Sequence, residues 1–292
     1  MKYLYSALGF FFSFVLQAQT THIVVVGVDG LNSYRFKDTQ TPNLDYIKAN
    51  GSWTFNANCN MPSSSSPNWA SIVCGATPKE HLITRNGFDK NVYQNTPTCA
   101  SEPDYFPTIF TLLNRQKPKL KAGLFHQWIA FARLVKKDKF SRKICGVITP
   151  EMNVDNAMIY YKGKKSAITF MHLDQCDHAG HKYGHESPEY LEAIQRTDKI
   201  LGRVIKTIKQ HDKFENTVLI LVTDHGGISK GHGGNSPQEI NTPWLIMGKG
   251  IKKNHTIQTH VKNEDTALMM AKILGLESHP CWTGKVISEV FE

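Results

Sequence analysis

Three short segments with acidic or imidazole side chains stand directly behind apolar runs. Asp29-Gly30 follows residues 22–28, Asp177-His178-Ala179-Gly180-His181 follows a run ending near Leu173, and Asp224-His225-Gly226-Gly227 follows residues 217–223. In an open parallel sheet, ligands bind at the carboxyl ends of the strands. If the runs are parallel strands, the three segments converge on one crevice. Carboxylate and imidazole together suit zinc, and a catalytic zinc takes three protein ligands and leaves one position open. Two such sites need about six ligands, and the chain supplies that number.

Each residue taken alone has a plainer reading. Asp29 before Gly30 is a common strand-to-turn pair. Asp224-His225 in isolation is equally a cap with a surface imidazole, and His172, His178 and His185 crowd the region of His181. The joint arrangement at strand ends is what points to chemistry. A nucleophile is available in Pro62-Ser63-Ser64-Ser65-Ser66-Pro67-Asn68. A run of four serines usually means a flexible loop. This one ends at a helix start, where backbone N–H groups and the helix dipole favour an anion.

The elements that must hold these residues are legible as short apolar, β-branched runs at 22–28, 122–125, 144–148, 167–173, 217–223 and 244–247. Their apolarity is continuous rather than alternating, which marks strands covered on both faces. The fold expected is α/β: a doubly wound, mostly parallel central sheet flanked by helices. The clearest helix covers 188–209, with Ser187 as N-cap, Pro188 in the first turn and Leu191, Ile194, Leu201, Val204, Ile205 and Ile208 on one face. Another is expected over 108–113. A third starts at Pro67, with Ser66 as its cap and Trp69, Ile72 and Val73 as its apolar stripe.

Residues 1–19 have the layout of a secretory signal peptide: Lys2, an apolar run from Leu8 to Leu16, then Gln17-Ala18-Gln19. The apolar run is shorter than the roughly 20 residues a spanning helix needs. The mature chain, 20–292, is therefore expected to be exported to the periplasm or secreted, to form one catalytic domain, and to carry no membrane span. Six cysteines in an oxidising compartment permit up to three bridges, with pairing not readable and Cys74 expected as a buried thiol. The formal net charge of +9 favours anionic ligands. Basic runs at 136–139 and 162–165 lack interleaved aromatics and read as solvated faces, so no specific nucleic-acid binding is expected. Oligomeric state is not legible.

Together these residues resemble the alkaline-phosphatase superfamily, in particular its type I phosphodiesterase/nucleotide pyrophosphatase branch, over a stretch from Val24 to roughly Gly250. Val28-Asp29-Gly30 resembles the first metal aspartate, and Thr41-Pro42-Asn43-Leu44-Asp45 the helix start that follows it. Ser65-Ser66-Pro67-Asn68 resembles the Thr-Phe-Pro-Asn nucleophile motif, with Ser65 at the nucleophile position. Asn86 falls at the position of the phosphate-binding asparagine. Asp177-x-x-Gly180-His181 and Asp224-His225-Gly226 resemble the remaining metal motifs.

The resemblance implies two divalent cations, zinc by preference, with manganese or iron accepted by the same donors. Asp29, Asp224, His225 and Ser65 would hold one, and Asp177, His181 and His232 the other. His232 departs from the family, whose last histidine lies far downstream. Here it comes seven residues after His225 in a glycine-rich loop, with His255, His260 and His279 as substitutes. Ser66 stands where nucleotide-cleaving members carry a base-stacking Phe. The implied reaction is hydrolysis of a small-molecule phosphodiester or pyrophosphate, a nucleotide among the candidates, through a phosphoserine. Asn86 and the Ser66 N–H would hold a phosphate oxygen. Phosphomonoester hydrolysis is the nearest alternative. A sulfatase lacks its motif near Ser65, and a binding protein without turnover is a further alternative. The leaving-group pocket would be built by loops at 91–106 and 127–159, where Tyr105, Trp128, Tyr160 and Tyr161 are available to stack.

Overall fold

The computed structural model describes residues 21–88, 97, 99, 105–136, 138–146 and 149–292. Residues 1–19, read above as a leader, lie outside the described residues, as does most of the 91–106 loop.

Among the described residues, eight strands form one sheet: β1 (His22–Val28), β2 (Gly51–Asn58), β3 (Lys121–His126), β4 (Arg142–Cys145), β5 (Ser166–Leu173), β6 (Thr217–Thr223), β7 (Asn241–Gly248) and β8 (His255–Thr256). Their order is β4-β3-β5-β1-β6-β7-β2-β8. Only the β7 pairings with β6 and β2 are antiparallel; the other pairings are parallel. The sheet is mixed and mostly parallel, as the continuous apolar runs require.

Every residue of β1, β5 and β6 is buried. On one face Ile23 and Val25 pack with Trp69, Ile72 and Val73 of the helix Ser65–Cys74 and with the helices Ile109–Gln116 and Asp265–Leu274. On the other, Val24, Val26 and Val28 meet the helices Pro42–Ala49, Pro150–Tyr161 and Pro188–Lys209. Alternate residues of one strand thus feed two cores, and each layer buries its apolar face against the sheet.

Several boundaries differ from the sequence expectation. The helix after the serine run starts at Ser65, with Ser64 rather than Ser66 as N-cap and Pro67 as its third residue. Asn68 is the reason: its Nδ2 donates to the carbonyls of Asn60, Pro62 and Ser64, each at 3.0 Å, which folds the serine run back onto the helix start. The helix Pro188–Lys209 has Ser187 as its cap, accepting from Tyr190 N–H at 3.2 Å, but Tyr190 is the buried residue of the first turn and Leu191 only half-buried. The 127–159 segment is not all loop, since the helix Pro150–Tyr161 runs through it. Tyr161 is buried, its hydroxyl 2.8 Å from Thr217 Oγ1, a structural role. Strand β4 ends at Cys145, and 147–148 lie outside the described residues.

Candidate metal centre

Register brings the acidic residues level. Val28 pairs with Leu173 on one side and Thr223 on the other, so the next residues, Asp29, Asp174 and Asp224, leave three adjacent parallel strands at the same height. The ladder continues one step, Asp29 N–H donating to Leu173 O at 2.8 Å. Two glycines make room beside Asp29. A Cβ on Gly27 would lie 2.6 Å from the Trp69 ring, and one on Gly30 would lie 2.8 Å from Asp177 Cα. Gly30 also takes φ +65°, open to glycine at little cost.

Asp29, Asp224 and His225 are fully buried. Asp29 Oδ2 accepts from Trp69 Nε1–H and from His172 Nε2, both at 2.9 Å. Its Oδ1 has no hydrogen-bond partner and lies 3.6 Å from His225 Nε2. Asp224 Oδ1 accepts from Gly30 N–H at 3.2 Å, while its unpartnered Oδ2 lies 3.3 Å from the same His225 Nε2. His225 Nδ1–H donates to Gly226 O at 2.7 Å, which leaves Nε2 as a lone pair. Ser65 Oγ lies 3.1 Å from that atom. One hydroxyl, two carboxylate oxygens and one imidazole nitrogen therefore share one point.

The second cluster is built the same way. The helix Gln175–Tyr183 sets Asp177 and His181 one turn apart on a common face, with Asp177 Oδ2 3.4 Å from His181 Nε2. His181 Nδ1–H donates to Lys230 O at 2.9 Å. His232 arrives from the glycine-rich loop. Gly226 and Gly227 N–H pair with the carbonyls of Glu239 and Gln238, closing the loop's base. Glu239 then accepts from Gly234 N–H at 2.7 Å and Ser236 N–H at 3.1 Å. Ser63 completes the staple, since its carbonyl accepts His232 Nδ1–H at 2.9 Å and its hydroxyl accepts Gly233 N–H at 3.0 Å. His232 Nε2 thereby lies 3.1 Å from His181 Nε2 and 3.7 Å from Asp177 Oδ1.

Asn86 sits beside the serine: its Oδ1 accepts Ser66 N–H at 2.8 Å. That amide is already committed, which differs from the expectation that it faces a phosphate oxygen. Of the other histidines weighed, His178 is exposed and His185 is buried with Nδ1 against Ser229 O. His255 lies on β8 at the far sheet edge, 3.1 Å from Glu289. Sequence reasoning missed Trp69 and His172 as partners of Asp29, and Glu239 as the brace of the His232 loop.

The electrostatics mark a site built for positive charge. Burial, then the Asp29 and Asp174 carboxylates, push Asp177 up to about 9. Burial, then Asp29 and Asp177, raise Asp224 well above the ordinary carboxylate range. Burial would raise Asp29 too, but the hydrogen bond from His172 and the nearby His225 and Trp69 hold it down. Burial, then neighbouring His232, pushes His225 down to about 3, so it is neutral at physiological pH.

Oδ1 of Asp29, Oδ1 of Asp177 and Oδ2 of Asp224 are buried without a hydrogen-bond donor. Each such orphan costs roughly 1–3 kcal/mol, more when charged, against a total stability of about 5–15 kcal/mol for a typical fold. Divalent cations would satisfy all three, together with the imidazole nitrogens. Asp177, His181 and His232 form one group with atoms within metal-binding reach, and Asp29, Asp177 and His225 another. The donors fit the group. His181, His225 and His232 each have Nδ1 tied to a backbone carbonyl, the usual arrangement of metal-ligating histidine.

Comparison with known proteins bears on the family and the fold. Human ectonucleotide pyrophosphatase/phosphodiesterase family member 7 is 24% identical over 229 residues, covering 72% of this chain and 48% of that protein. GPI ethanolamine phosphate transferase 1 of Saccharomyces cerevisiae is 23% identical over 244 residues, 74% of this chain and 26% of that protein. The chain thus spans about half the length of the first of these relatives and about a quarter of the second. Murine ectonucleotide pyrophosphatase/phosphodiesterase 5, solved as an inactive variant in complex with AMP, superposes with a TM-score of 0.76 at 16% identity, over 93% of this chain and 100% of that one. BT1596, a 2-O GAG sulfatase, shares the fold at a TM-score of 0.70 and 15% identity, over 92% of this chain and 74% of that one. The family model for type I phosphodiesterase / nucleotide pyrophosphatase matches residues 23–231, more than half of the chain and every cage residue but His232, and the chain belongs to that family.

Proposed function

We propose that this chain is an exported hydrolase of small-molecule phosphodiester or pyrophosphate bonds, nucleotides among them, acting through a covalent phosphoserine at Ser65. The observation that carries the reading is the position of Ser65. Its hydroxyl opens a ten-residue helix and lies 3.1 Å from His225 Nε2, at the point where the Asp29 and Asp224 orphan oxygens also meet. Asp29, Asp224 and His225, with Ser65, hold one divalent cation, and Asp177, His181 and His232 hold a second. Zinc suits the mixed oxygen and nitrogen donors, and other divalent metals share them. When bound, the ions supply positive charge that lowers the pKa of the serine hydroxyl and offsets charge on the phosphoryl and leaving oxygens.

Ser65 Oγ gives up its proton to solvent and forms a bond to phosphorus as the bond to the leaving oxygen breaks; that oxygen leaves with a proton taken from solvent. In the second step water adds to phosphorus, loses a proton, and the Ser65 Oγ–P bond breaks, returning the serine hydroxyl. The first-turn N–H groups of the Ser65 helix favour the anionic phosphoryl group. Asn86 Oδ1 locks the Ser66 amide, so Nδ2 of Asn86 is the side chain's donor toward a non-bridging oxygen. A neutral amide at this position suits the single charge of a diester better than the nearly double charge of a monoester.

Export rests on the leader-like residues 1–19 and on the Cys99–Cys281 disulfide, a bond of oxidising compartments. Cys59, Cys74 and Cys176 are buried free thiols and Cys145 an exposed one. Residues 20–292 act as one catalytic domain. No helix among the described residues is long and apolar enough to cross a membrane.

Zinc-loaded protein offered a bis-aryl phosphate, an aryl monophosphate and an aryl sulfate tests the reading. Turnover of the diester above the other two is expected. A strong monoester preference makes the chain a phosphomonoesterase, equal turnover of sulfate a sulfatase, and no turnover at full metal occupancy an anion-binding protein.

A further inference from the structure

We infer that His172 and Trp69 are positioning residues that make Asp29 a one-oxygen ligand and close the cage at two cations, an inference that rests on the two-cation reading above. Asp29 has one carboxylate oxygen saturated and one bare. Two N–H donors from different elements, Trp69 Nε1 on the helix Ser65–Cys74 and His172 Nε2 on β5, converge on Oδ2 at 2.9 Å each. Oδ1 receives none and lies 3.6 Å from His225 Nε2, the atom that Ser65 Oγ approaches at 3.1 Å.

The two donors are themselves held. Trp69 and His172 pack edge to face with centroids 4.9 Å apart, both fully buried, and Phe131 lies against each ring. Gly27 has no Cβ where the Trp69 ring passes. With Nε2–H given to Asp29, His172 Nδ1 is left without a hydrogen-bond partner.

The arrangement also decides the fate of a third cluster. Asp29, His172 and Asp174 offer atoms within 4.8 Å of one another, a set with the residue types to hold another ion. A cation there would need Asp29 Oδ2 and His172 Nε2 as lone pairs. Both are consumed by the hydrogen bond between them, and Trp69 fills the remaining side of Oδ2. The same two donors that aim Asp29 at Ser65 exclude an ion behind it.

The experiment uses the full chain loaded with zinc, dialysed against a graded chelator, with zinc content, melting temperature and steady-state kinetics on a bis-aryl phosphate read together. Wild type is expected to hold two ions per chain. His172→Met removes the donor at similar volume and Trp69→Phe removes the indole N–H while keeping a ring. Each is expected to weaken one ion by about 10–100-fold, to leave the second at its wild-type affinity, and to lower kcat with KM little changed. His172→Gln restores an N–H at that reach and is expected to recover zinc retention. Two ions held at wild-type affinity in both His172→Met and Trp69→Phe, whatever their melting temperatures, would overturn the inference. So would equal weakening of both ions, or failure of His172→Gln to rescue. Three ions per wild-type chain would overturn the closure. Wild type that takes up no zinc would instead remove the two-cation reading on which the inference stands.

Discussion

His181 and His232 face each other through Nε2 atoms 3.1 Å apart, each having already given its Nδ1 proton to a backbone carbonyl, Lys230 O and Ser63 O. Two lone pairs at that distance repel, and Asp177 adds carboxylate oxygens at 3.4 and 3.7 Å. A cation between them converts the repulsion into coordination. Zinc at about a thousand times its dissociation constant stabilises by about 4 kcal/mol, worth a rise in Tm of roughly 10 °C for a chain of this size. His181→Ala and His232→Ala should each remove much of that rise. Scanning calorimetry with and without zinc checks it, and a wild-type Tm indifferent to zinc would tell against a metal cage.

Stability of the metal-free protein should fall as pH rises. Asp177, pushed up to about 9, and Asp224, also raised, have folded values above their ordinary 3.8. The stability they contribute is complete below about pH 4 and lost as pH climbs toward 9. Asp29 runs the other way, being held down, but its loss lies at more acid pH. Cation binding displaces the protons, so zinc affinity should rise with pH between about 5 and 9. Chelator-treated and zinc-loaded melting curves across that range measure both, and a pH-independent zinc affinity would contradict the assignment.

Asn86→Ala should lower kcat on a bis-aryl phosphate by about 10²-fold, the usual effect of losing one oxyanion donor. Zinc content should be unchanged, because Asn86 touches Ser66 and no member of the metal cage. Loss of zinc alongside activity would make Asn86 a scaffold for the Ser65 helix rather than a substrate donor.

Much of this site is legible in the sequence because the parallel sheet is. Asp29, Asp177 and Asp224 follow apolar runs whose full burial leaves them only one role, and residues just beyond parallel strand ends share one edge. The strand β2 escaped notice because Ser52, Thr54 and Asn56 interrupt its apolarity, as befits a strand between β7 and the two-residue β8. His172 read as one of several competing imidazoles. Its partnership with Asp29 depends on β5 lying beside β1, a neighbour relation 143 residues apart in sequence. Trp69 read as core stripe, which it also is. The signal that it does more was Gly27, a residue without a Cβ inside an otherwise β-branched strand. Likewise, the return of His232 depends on Ser63 and Glu239, whose contacts span 169 residues in one case and a local turn in the other.

The central claim is a covalent phosphoryl group on Ser65. Acid-quenching zinc-loaded protein during turnover of a bis-aryl phosphate, then mass analysis of the peptide spanning 63–74, tests it directly. The account predicts an aryl phosphoryl adduct on Ser65 at early times, absent from Ser65→Ala, whose kcat falls by about 10³-fold or more with zinc retained. Wild-type turnover persisting in Ser65→Ala, or an adduct on another residue, would contradict it.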